Sequence, residues 1–172
     1  MEIPEGWLGE LAQDRMADRA AGAYAPVALW ACMSSLTGGA EPVATTVQCD
    51  THDGSTEWRA LWLTENALAH GSVVKGKEGW TAYSDAAGDD EPDETKGWVR
   101  SIKQVGRVEI SQAECRRISR VSESGRAWTW SSSARIVFSD GGSVSLPLFG
   151  NPGSDAQDAE IQTFLAGVSD RL

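Results

Sequence analysis

The stretch R-I-V-F-S-D-G-G-S-V-S-L, residues 135–146, limits more sharply than any other what this chain can fold into. Asp140-Gly141-Gly142 supplies the positive φ angles of a tight hairpin turn, and the flanking runs are apolar and β-branched enough to be strands. Val144 and Leu146 alternate with Ser143 and Ser145, so one face of the hairpin is wet and the other dry. An antiparallel sheet with a covered face follows.

Similar cues recur upstream. After Gly38-Gly39-Ala40-Glu41-Pro42, a linker by composition, the chain turns to Thr-, Val- and Trp-rich segments of strand length. Strands are expected over 43–49, 58–63, 67–74, 99–105, 108–110, 128–133, 135–138 and 144–148. The run A-L-W-L-T-E-N-A-L-A-H-G, residues 60–71, reads as two of them hinged on Thr64-Glu65-Asn66.

Beyond Pro152-Gly153, Ser154-Asp155 forms an N-cap, and Ile161, Phe164, Leu165, Val168 and Leu172 fall on one helical stripe, which predicts a helix over 155–172. At the other end, Pro4 followed by Leu8, Leu11, Ala12, Met16 and Ala20 has helical spacing. The expected class is α+β. A bent antiparallel sheet or partly open β-barrel over 43–172 is capped by the C-terminal helix, and residues 1–40 form an N-terminal helical segment.

A length of 172 residues suffices for one self-supporting core, and eight tryptophans supply much of it, with one or two left over to face a partner. Cys32, Cys49 and Cys115 are odd in number and lack a C-x-x-C pair, which points to reduced thiols and a cytoplasmic location rather than a disulfide framework. Residues 20–36 carry no charge and follow Arg15 and Arg19. The run is shorter than the roughly 20 residues of a spanning helix, contains Pro26, and follows an acidic start, so a buried helix or strand is expected there instead of an export signal.

The net charge of −10 is unevenly spread: residues 1–95 carry −12, residues 96–135 carry +6 and residues 136–172 carry −4. Lys96, Arg100, Lys103, Arg107, Arg116, Arg117, Arg120, Arg126 and Arg135 make the middle a basic island. Just before it stands an acidic run of Asp85, Asp89, Asp90, Glu91, Asp93 and Glu94, expected as an exposed loop.

Catalytic patterns fare poorly on chemistry. G-S-V-V-K-G-K-E, residues 71–78, nearly spells a phosphate-binding loop, but Glu78 stands where a magnesium-binding hydroxyl is needed and no helix start follows. Cys49 and His52 offer only half of a zinc site. His52 and His70 have no nucleophile signature beside them. No catalytic residue, metal or other cofactor is assigned. Trp128 and Trp130, two apart within the basic island, are expected in the core, and the overall acidity disfavours nucleic acid.

The 60–71 hairpin resembles the second hairpin of bacterial pleckstrin-homology-like domains, and S-I-K-Q-V-G-R-V-E-I, residues 101–110, resembles their central segment. The Asp140-Gly141-Gly142 hairpin and the closing helix extend the resemblance over about 43–172. It implies a binding scaffold. Basic residues between the first two strands would hold a lipid phosphate, and this chain has Asp50-Thr51-His52-Asp53-Gly54 there, which disfavours anionic membrane lipid.

The leading expectation is a non-enzymatic adaptor for a protein or peptide partner, its oligomeric state left open. Candidate contacts are Trp80 and Trp98, taken as exposed beside the acidic loop, with Arg100, Lys103 and Arg107. The alternative is a small acidic immunity or inhibitor protein that meets a basic partner through 85–94, including Asp89, Asp90, Glu91, Asp93 and Glu94. An unrecognised enzyme is the third class.

Overall fold

Turn chemistry sets the strand pairing throughout. The structure is a computed structural model that describes residues 16–18, 21–83, 91–122, 125–150 and 154–172, with backbone alone over 115–122 and 125–130. Strands β1 (Ala17–Asp18) and β2 (Ala23–Tyr24) form a small antiparallel pair that leads into helix α1 (Val27–Thr37). The second sheet runs β3 (Ala44–His52), β4 (Ser55–Leu63), β5 (Ala67–Lys75) and β6 (Glu94–Ser101), in sequence order and antiparallel. Asp53 and Gly54, at φ 49° and 76°, make the two-residue turn between β3 and β4 that suits the strands' right-handed twist. At the next turn, Thr64 exchanges backbone and hydroxyl hydrogen bonds with Ala67.

The chain leaves this sheet through a tight corner. Ser101 caps a short 3-10 turn, Ile102–Gln104, and the Gln104 side chain accepts back from the Ser101 N–H. The third sheet follows as β7 (Val105–Ser122), β8 (Gly125–Phe138) and β9 (Ser143–Leu146), all antiparallel. Helix α2 (Asp155–Ser169) closes the fold, its first turn satisfied by the Ser154 hydroxyl, which accepts from the Gln157 N–H.

Alternation along β4 explains the layering. Trp58, Ala60 and Trp62 point to one side and pack with Leu29 and Met33 of α1, Met16, Ala25, Val47, Val73 and Trp80. Leu61 and Leu63 point to the other and join Ile136, Phe138 and Leu146 of the third sheet with Ile161, Phe164 and Val168 of α2. The four-stranded sheet is thus buried on both faces, which its near-continuous apolar β4 demands. The molecule is α+β, with three antiparallel sheets and a C-terminal helix; among the described residues no barrel closes.

Several expectations change. The end of the expected N-terminal helix is instead β1, because Asp18 turns its carboxylate onto the Ala21 and Cys49 N–H groups; the rest of that run lies outside the described residues. The uncharged run holds α1, whose Leu29 and Met33 belong to the core. The strand expected over 99–105 begins earlier, at Glu94, and ends at the Ser101 corner. Segments 128–133 and 135–138 are one strand, and 108–110 lies within the long β7. The final helix stops at Ser169, short of Leu172. The near phosphate-binding loop is β5 continued into a turn. No described helix is long and apolar enough to cross a membrane.

Candidate binding surface at the sheet corner

Where the two larger sheets meet, a chain of rings and charges joins them. His70 on β5 stacks on Trp98 of β6 at 5.5 Å, and Trp98 meets Phe138 of β8 edge to face at 5.4 Å. The Arg100 guanidinium lies 4.4 Å from the Phe138 ring centre and donates to Asp140 Oδ2 at 2.7 Å. Asp140 also accepts from the Gly142 N–H through Oδ1, so its carboxyl is held below the usual carboxylate range by that backbone bond first and by Arg100 second. The turn that fixes the β8–β9 hairpin therefore also anchors β6.

This settles the place of several candidate residues. Trp80 is fully buried, because its carbonyl accepts from Trp58 Nε1 at 2.7 Å and its ring fills the core under α1; it is not the exposed contact expected. Trp98 is half-buried in the ring chain. Arg100 is occupied by Asp140, whereas Lys103 is exposed on the 3-10 turn and Arg107 is exposed on β7, paired with Glu109 at 2.6 Å.

The charge runs separate. Register places Glu94 opposite Val74 at one end of β6 and Arg100 opposite Leu68 at the other, about 20 Å away at strand rise. Lys75 donates to the Glu91 carbonyl and Asp93 accepts from the Gly76 N–H, so the described end of the acidic run is tied to β5 and not to the basic island. Glu94 is part of β6 and pairs with Lys96. Asp89 and Asp90 lie outside the described residues. Arg116, Arg117, Arg120 and Arg126 sit on the distal β7–β8 arm, where Trp128 and Trp130 stand opposite Arg117 and Cys115.

On the outer side of the third sheet, a shallow groove of about 370 Å³ is lined by Arg107, Glu109, Arg135, Val137, Phe138 and Gly141, among others. Among the described residues, neither Lys103 nor Arg135 has an anionic partner. Arg135 could take a carboxylate there, beside Arg107, whose charge Glu109 already shares.

Sequence reasoning missed a second polar cluster. Glu57 and Arg59, two apart on β4, pair in bidentate fashion at 2.8 and 3.0 Å; Arg59 also donates to the Leu148 carbonyl and lies 4.1 Å from the Phe149 ring centre. Gln48 accepts from the Phe149 N–H, so the loop after β9 is strapped to the four-stranded sheet. Two opposite charges at alternate positions, leading into the apolar run Ala60-Leu61-Trp62-Leu63, were its one visible signal. Burial, and then the Arg59 charge, lower the His70 pKa to about 4 and keep its ring neutral.

The thiols are muted. Cys49 is pushed up to about 11 by burial and by Asp18 and Asp50, and burial also raises Cys32, which leaves both poor nucleophiles at neutral pH. No family model, curated protein or solved structure matches this chain.

Proposed function

We propose that the chain is a non-enzymatic binding protein on a pleckstrin-homology-like scaffold, taking an acidic, extended segment of a partner protein against the outer face of its three-stranded sheet. The groove lined by Arg107 and Arg135 carries this reading; Lys103 stands exposed on the 3-10 turn before β7, and Arg100 is held by Asp140. The scaffold is supported by element order: four antiparallel strands, a tight corner, three more, then a helix that reaches the edge of the first of them.

The test is selection from a random peptide library, with binding sites mapped by amide chemical-shift changes on the whole chain. Acidic binders should perturb Lys103, Arg107 and Arg135, and the charge reversals Lys103→Glu and Arg135→Glu should abolish binding. Binders that perturb some other surface, or a library that returns none, would sink the proposal.

One observation favours a second reading, a small acidic inhibitor of a basic partner. The exposed carboxylates of Asp50, Asp53, Glu91, Asp93 and Glu94 gather at the same end of the four-stranded sheet. Basic binders whose contacts map to that end, and whose affinity collapses in high salt, would select it.

A further inference from the structure

Edge strands are a liability that proteins usually block, and this fold blocks its edges unequally. The outer edge of β3 is capped: the Val47 N–H donates to Glu160 Oε1 of α2 and the Cys49 N–H to Asp18 Oδ2. Three register shifts break the ladder along β7, and β9 spans only Ser143–Leu146. By contrast, β6 pairs with β5 in unbroken register from Glu94 to Ser101, and among the described residues its other side is the end of the sheet.

The Ile102 N–H donates to the Asn66 carbonyl, which fixes the hydrogen-bond alternation along β6. Residues 94, 96, 98 and 100 turn their backbone groups toward β5, and Thr95, Gly97 and Val99 turn theirs outward. Val99 leaves 45% of its surface exposed, unusual for valine in a strand.

We infer that β6 is a self-association edge, pairing antiparallel with β6 of a second copy about a two-fold axis at Gly97. The sequence E-T-K-G-W-V-R-S is self-complementary in that register. Glu94 of one copy falls opposite Arg100 of the other, Thr95 opposite Val99, Lys96 opposite Trp98, and Gly97 opposite itself. The acid meets a base whose Nη1 already serves Asp140 and whose other nitrogens remain for it, β-branched meets β-branched, and cation meets ring. Thr95, Gly97 and Val99 supply the main-chain hydrogen bonds, and Val99 becomes covered. The two sheets then run together as one, and the groove on the third sheet, which the proposed partner uses, stays outside the pairing.

Sedimentation equilibrium of the full chain at micromolar concentration is the experiment, with circular dichroism to check folding. The wild type should be a dimer. Thr95→Pro removes an outward N–H that β5 does not use, and should give a folded monomer. Glu94→Arg places like charges across both ends of the pairing and should weaken the dimer about tenfold. If Thr95→Pro fails to fold, the Glu94→Arg result decides. A monomeric wild type overturns the inference, as does a dimer that survives Glu94→Arg or a folded Thr95→Pro unchanged.

Discussion

Gly71 and Gly97 stand opposite each other in the register of β5 and β6, and together they form the floor on which α1 rests. A Cβ on Gly71 would lie 2.6 Å from Met33 Sδ, and one on Gly97 would lie 2.6 Å from Leu36 Cδ1. Neither glycine needs a positive φ; both are required by how closely the helix approaches.

The two positions should respond differently to alanine. At Gly71 the neighbours are side-chain sulfurs, of which the Met33 thioether can swing away, whereas at Gly97 the His70 carbonyl stands 3.0 Å from the new atom and cannot. Gly97→Ala should cost about 1–3 kcal/mol in denaturant unfolding, and Gly71→Ala should cost less. Equal costs would show that α1 shifts as a body.

Trp58→Phe should destabilise by about 1–3 kcal/mol. The ring volume is largely kept, but the Trp80 carbonyl loses the Nε1–H that satisfies it inside the core. Equilibrium unfolding of the variant checks this.

Stability should depend on pH through His70. Its pKa is near 6.5 in the unfolded chain and about 4 in the folded one, so as pH falls from 6.5 the unfolded state takes up the proton first. The neutral ring's contribution is complete above pH 6.5 and is lost progressively down to pH 4, at no more than about 1.4 kcal/mol per unit. His70→Gln should flatten that part of the unfolding profile; an unchanged slope would assign it to carboxylates.

Arg59→Lys is not conservative here. A lysine cannot hold Glu57 in bidentate fashion, reach the Leu148 carbonyl and stack on Phe149 together. The expected loss is about 1–2 kcal/mol. Amide exchange at Phe149, protected by Gln48, should speed up more than exchange in β4, because the strap loosens before the sheet opens.

Local chemistry made part of the fold legible in the sequence. Asp140-Gly141-Gly142, the Thr64 turn and the Ser154 cap each carry their own signal within a few residues, and each appears in place. The start of β6 did not, since E-T-K-G shows no apolar face; its pairing comes from β5, some twenty residues earlier. Trp80 follows a glycine turn and looked exposed, but it hydrogen-bonds to Trp58 and joins a core that also holds Met16, both distant in sequence. Of the candidate contacts, Arg107 lines the corner groove, while Arg135, its other cation, was known only as a member of the basic island.

The capped edge of β3 has a consequence for how the chain survives damage. Its guards stand far from it in sequence, Asp18 on β1 and Glu160 on α2. Proteolytic loss of β1 or α2 would therefore strip a cover from a strand that the cut itself does not touch. The bared N–H groups of Val47 and Cys49 would then template fibrillar stacking, so a clipped protein should aggregate well before its core melts.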